Sequence, residues 1–132
     1  MQIQPYVVDE HACPAEGWDG YRWKTLISSD RTPTSHITQG IAELLPSLPD
    51  MRRLHHHAHA ETYYVVSGNG LLWIAEEQYV LTPGVTAFIP GGAHHTAIAT
   101  GDEPLRILYT FAVDSFTDVT YEYPGIAGSE PG

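Results

Sequence analysis

Apolar and polar residues alternate over short runs along most of this chain, and the runs end at glycine or proline. SHITQGIAEL (35–44), ETYYVVS (61–67), GLLWIAEE (70–77), QYVLT (78–82), VTAFIP (85–90), HHTAIA (94–99), EPLRILYTFAV (103–113) and DVTYEY (118–123) read as strands. The breaks SGNG (67–70), TPG (82–84), PGGA (90–93) and TGDEP (100–104) supply glycine for left-handed backbone and proline to end ladder pairing. In LRILYTFAV the residues Leu105, Ile107, Tyr109, Phe111 and Val113 share one parity, so an extended strand turns all of them to one side, the expected interior. No window of helical length keeps an apolar period of 3.6. IAELLPSL (41–48) comes closest and is interrupted by Pro46, with Pro49 just after. The pattern predicts an all-β sandwich or small barrel with little helix, as one domain over 1–132, a core over about 20–123 and a loose tail from 124 to 132.

Composition narrows the setting. Apolar residues are 42% and charged residues 17% of 132, which suits a folded chain. Sixteen acidic against six basic residues, a net charge of −10 with no dense basic block, exclude nucleic acid as an expected partner. Cys13 is the only cysteine, so an internal disulfide is excluded and a reducing compartment expected. The first residues lack the basic-then-apolar pattern of a secretion signal, and no apolar run is long enough to span a bilayer. The expectation is a cytoplasmic protein without membrane contact.

The chemistry concentrates in RLHHHAHAETYYVVSGNG (53–70), where His55, His56, His57 and His59 precede Glu61. Residues two apart share a face of a strand, so His55, His57 and His59 share a parity that His56 lacks. A bend around Ala58 to Ala60 would break strict register, and spacing alone leaves His55/His57 and His57/His59 as alternative pairs. A second histidine pair follows the Pro-Gly-Gly turn in GVTAFIPGGAHH (84–95), so that three imidazoles and a carboxylate can converge. Along the strand after Glu61, Tyr63, Val65 and Ser67 share its face while Thr62, Tyr64 and Val66 turn away.

These segments resemble the two cupin motifs: His55-x-His57-x3-Glu61-x6-Gly68, then Gly84-x5-Pro90-x-Gly92-x2-His95. Ala99 departs from the second motif, which often has Asn there. The resemblance implies a cupin jelly-roll β-barrel holding one divalent transition metal (Fe, Mn, Ni or Zn) on His55, His57, Glu61 and His95, and it selects His55 with His57. His56, His59 and His94 are left as exposed or supporting residues. Four protein ligands on an octahedral ion leave two positions open for water or substrate.

Over most of its length the chain also resembles the short cupin lyases that cleave dimethylsulfoniopropionate to acrylate and dimethyl sulfide. GYRWKTLISSD (20–30), the first motif with Tyr63, and VDSFTDVTYEYP (113–124) carry the likeness. It implies a metal-dependent carbon–sulfur lyase acting on a small carboxylate, with Tyr63 as base and Tyr121 assisting or binding. A sulfonium could rest on the faces of Trp18, Trp23, Tyr64 or Tyr109. Two other functions share the fold: an Fe(II) dioxygenase, and a non-catalytic or isomerase-like barrel that binds a small molecule or sugar. Cupins of this type commonly pair, so a homodimer is expected, with YRWKTLI a candidate interface strand.

Overall fold

The computed structural model describes residues 2–47, 54–123 and 129–131, the last three by their backbone alone. The strands are β1 (Glu16–Trp18), β2 (Tyr21–Ile27), β3 (Thr38–Leu44), β4 (Glu61–Ser67), β5 (Asn69–Ile74), β6 (Glu77–Leu81), β7 (Thr86–Ile89), β8 (His95–Thr100), β9 (Leu105–Phe111), β10 (Thr120–Glu122) and β11 (Ser129–Pro131). Two 3-10 turns, Glu10–Ala12 and Phe116–Asp118, are the only helical segments among the described residues. None is long and apolar enough to cross a membrane.

A six-stranded antiparallel sheet runs in the order β1-β2-β3-β9-β4-β7, and a three-stranded one in the order β6-β5-β8. β9 lies inside the larger sheet, pairing with β3 from Thr38↔Phe111 to Leu44↔Leu105 and with β4 from Glu61↔Phe111 onward. Its alternation is complete: Leu105, Ile107, Tyr109 and Phe111 are buried while the residues between them are not, and Val113 beyond it is buried as well. One core joins the sheets, taking Val65, Leu105, Ile107 and Phe111 from the larger and Leu72, Leu81 and Ala99 from the smaller. Two short strands were not evident from the pattern. β1 has only three residues, and β11 pairs with β10 inside the segment expected to be loose.

YRWKTLI is β2. It pairs with β3 along its length, and β1 covers Tyr21 to Trp23 on its other side, so most of its ladder is already used within the chain.

Gly40 on β3 lies between Thr25 on β2 and Tyr109 on β9. A Cβ there would stand 2.2 Å from the Tyr109 hydroxyl oxygen and 2.7 Å from the Lys24 carbonyl oxygen, so the absence of a side chain lets the phenol lie across the strand. Gly40→Ala is expected to destabilise the fold by about 1–3 kcal/mol through overpacking. The midpoint of urea unfolding measures it, and an unchanged midpoint would mean that Tyr109 has another place to go.

Candidate metal centre

The histidine segment is held between two strands by alternate backbone bonds. His55 exchanges N–H and C=O bonds with His95 (3.0 and 2.7 Å), His56 does so with Glu122 (3.0 Å each), and the His57 carbonyl accepts from Gly92 N–H at 2.7 Å. Parity does the rest: His55 and His57 turn inward with His95, while His56 stacks outside on His94, centroids 4.4 Å apart, and contacts Glu122 at 3.0 Å. The chain then bends at Ala58 and His59, against the turn after Pro90. A Cβ on Gly91 would meet the Ala58 carbonyl at 2.3 Å, so glycine is what permits this close approach.

One ring nitrogen from each of His55, His57 and His95 falls within 4.8 Å of the others, and His57 and His95 are buried. Glu61, at the start of β4 and 4% exposed, brings Oε1 to 3.2 Å from His57 Nε2 and 3.5 Å from His95 Nε2. The bend that spacing could not resolve keeps His59's side chain exposed and uses its backbone instead: His57 Nδ1 lies 2.7 Å from the His59 carbonyl, and His95 Nδ1 lies 2.9 Å from that of Ala93.

A carbonyl only accepts, so both Nδ1 atoms donate, and in the neutral ring each Nε2 then presents a lone pair. Those lone pairs face a carboxylate, and His95 Nε2 is buried without a hydrogen-bond partner. Burial pushes the Glu61 carboxyl up, but contact with His57 and His95 outweighs it and holds the group below the usual carboxylate range. Two Nε2 lone pairs beside a buried carboxylate repel unless positive charge lies among them. Three imidazoles, two of them oriented by backbone acceptors, with a carboxylate oxygen beside those two, fit a divalent first-row ion.

His55 and Glu61 of the cluster line a cavity of about 330 Å³. Tyr63 and Tyr121 both line it: Tyr121 packs its ring 5.2 Å from His55 and 5.1 Å from His57, and Tyr63's ring lies 6.4 Å from that of His95. Of the four rings named as resting places for a cation, Trp18, Trp23 and Tyr109 line the cavity, whereas Tyr64 is 46% exposed on the other face of β4. Tyr21 and Tyr123 also line it, and the sequence reading passed over both. Tyr123 had a signal, since it shares Tyr121's parity.

Burial first, and then the charge of Glu61, raises the Tyr63 and Tyr121 phenols well above their ordinary value and raises Tyr21 as well. Tyr109 is raised by burial, with Tyr21 and Glu61 adding to it. Tyr109 Oη and Trp23 Nε1 are buried donors without partners among the described residues.

The family described as Cupin domain matches residues 43–111. Dimethylsulfoniopropionate lyase DddW of Ruegeria pomeroyi is 32% identical over 128 residues, 93% of this chain and 82% of the relative. A RmlC-like cupin from Shewanella frigidimarina superposes with a TM-score of 0.69 at 19% identity, covering 86% of this chain and 95% of that one. Oxalate decarboxylase of Lactobacillus farciminis, in a formate complex, gives 0.69 at 23% identity over 79% of this chain, which spans only 32% of that enzyme. The two sheets and their shared core are those of a small jelly-roll barrel, with three histidines placed where they could hold a metal ion. The chain belongs to the cupin family.

Two outcomes follow. Replacing His57 or His95 with alanine is expected to lower divalent-metal affinity by at least about tenfold, while His59→Ala leaves it within about threefold, because His59 serves through its carbonyl. Metal content after dialysis, with calorimetric titration, tests this, and equal losses in all three variants would contradict it. Raised phenols also make a pH prediction. In chelator-treated protein, the stability they contribute is present below the unfolded phenol value of 10.0 and lost as pH rises past it. The urea midpoint should hold from about pH 7 to about pH 9 and fall by about pH 11, and a flat profile would mean the phenols are not buried.

Proposed function

We propose that this chain is a metal-dependent carbon–sulfur lyase that converts dimethylsulfoniopropionate to acrylate and dimethyl sulfide. The observation that carries the proposal is the placement of two partly buried phenols lining the cavity, Tyr63 on the strand that begins with the Glu61 carboxylate and Tyr121 against His55 and His57, around one histidine cluster. The similarity to DddW over 93% of the chain supports the choice of substrate.

His55, His57, Glu61 and His95 would hold the ion. A divalent metal there supplies a Lewis acid for the substrate carboxylate and positive charge that opposes the effect of Glu61 on the phenols. The remaining work belongs to side chains. Tyr63 Oη takes the proton from the carbon next to the carboxylate, acting as its phenolate. The electron pair of that C–H bond becomes the new C=C bond. The C–S bond breaks with its pair on sulfur, so a cationic sulfonium leaves as neutral dimethyl sulfide, and the proton stays on Tyr63. No redox change occurs. Tyr121, beside His55 and His57, assists or binds on the metal side of the substrate.

Dimethyl sulfide and acrylate release by protein reconstituted separately with Fe, Mn, Ni and Zn tests this reading. Tyr63→Phe is expected to cut turnover by about 10²–10⁴-fold while metal content is unchanged. Absence of release with every metal would remove this substrate. Oxygen uptake that depends strictly on Fe(II) would replace the lyase with a dioxygenase.

A further inference from the structure

β2 turns alternate residues to opposite sides of the large sheet. Tyr21 and Trp23 pack toward the core and line the cavity that Glu61 lines, while Arg22 and Lys24 face the other way. On that outer side a second cavity, of about 300 Å³, lies between the sheet and the segment around Glu10, and Trp23 borders both spaces. Arg22, Glu43 and Arg106 stand side by side across β2, β3 and β9, and Lys24 and Ile41 form the next row on the same face.

Three of the six lysines and arginines in a chain of net charge −10 line this one space, whereas none among the described residues lines the larger cavity. Their partners are unequal. Arg106 takes both local carboxylates: it contacts Glu10, and its Nε lies 3.5 Å from Glu43 Oε2. Asp9 is engaged by the backbone N–H of His11 at 2.9 Å and by its ring at 2.8 Å. Lys24 Nζ donates to the Glu10 carbonyl at 3.2 Å and has no paired carboxylate among the described residues. Arg22 lies opposite Glu43 in register, yet its side chain makes no ion pair or hydrogen bond with a described residue. Two positive charges are thus left on one strand face without a counter-charge.

Residues two apart on a strand are separated by about 7 Å, which lets both long side chains reach the oxygens of one compact anion. A guanidinium grips two such oxygens in its fork and an ammonium adds a point charge. Two unmatched cations call for a double negative charge. Glu10 and Glu43 border the space and repel an extended polyanion, and Ile41, 8% exposed, gives one wall an apolar surface for a short carbon skeleton.

We propose that Arg22 and Lys24 form a second binding site, on the outer face of the large sheet, for a small dianionic oxyanion, either a phosphate ester or a dicarboxylate. The site uses none of the metal-ligand candidates and does not rest on the lyase reading.

The test titrates inorganic phosphate and malonate into the full, metal-loaded chain at about pH 8, where phosphate is doubly charged. Acetate is the singly charged control, and ionic strength is held constant because these charges are screened by salt. Calorimetry gives affinity, and tryptophan fluorescence reports on Trp23. A dianion is expected to bind at least about tenfold more tightly than acetate, and chelator treatment should leave its affinity within about twofold. Arg22→Gln and Lys24→Gln should each weaken it at least about threefold, and Glu43→Gln should not weaken it. Circular dichroism checks that each variant is folded. Tighter binding of phosphate points to a phosphate ester and of malonate to a dicarboxylate, and either supports the site. Equal affinity for dianion and acetate, or an affinity unmoved by both Arg22→Gln and Lys24→Gln in folded protein, would overturn the proposal. Binding lost on chelator treatment would place the anion on the metal instead and overturn it as well.

Discussion

Two imidazoles cannot use the same nitrogen to satisfy a backbone carbonyl and to meet a carboxylate, and this constraint organises the site. His57 and His95 commit Nδ1 to the carbonyls of His59 and Ala93, which leaves both Nε2 atoms directed at Glu61. In a buried place, lone pairs and a carboxylate brought together in this way repel unless positive charge lies among them. The surrounding structure holds the convergence in place. β4 delivers Glu61, the first residue of β8 delivers His95, and His55 is bonded along its backbone to His95. Each ligand candidate sits on a strand or against one, so a metal ion would meet side chains whose orientation is already set.

The same carboxylate shapes the rest of the cavity. Its charge, after burial, is the recurring cause that raises the phenols of Tyr21, Tyr63 and Tyr121 above their ordinary value. Stacked aromatic rings, Asp19 and Glu61 line the cavity, and no lysine or arginine among the described residues does. Oxalate decarboxylase and the RmlC-like cupin share the fold at 23% and 19% identity, so the barrel does not choose the chemistry. The residues around the histidine cluster must do so.

Strand faces were legible because the pleat has a period of two and each strand carries its own pattern. The inward set of β9 and the division of β4 into Glu61, Tyr63 and Val65 against Thr62, Tyr64 and Val66 follow from parity alone, and burial matches both. β1 was not legible: three residues, one of them Gly17, are too few to show alternation. Its position decides where Trp18 goes, so the stacking of Trp18 on Tyr21 stayed hidden with it. Tyr21 was hidden for a different reason. It opens a strand already recognised as apolar, and nothing local says that the strand's inward face borders a cavity instead of solid core.

By itself the sequence determined the β architecture, the face shared by Glu61, Tyr63 and Val65, the inward set of β9, and the spacing that resembles the cupin motifs, through which alone His55 was chosen with His57, since all of these are repeats or intervals within one local stretch of chain. Only the tertiary structure decided that His59 contributes a carbonyl and not a ring, that His56 pairs outward with His94 and Glu122, and that Trp18, Tyr21 and Tyr123 share a cavity with Glu61. Those relations join residues from different strands and turns. Strand order and register bring them together, and no local period along the chain encodes either one.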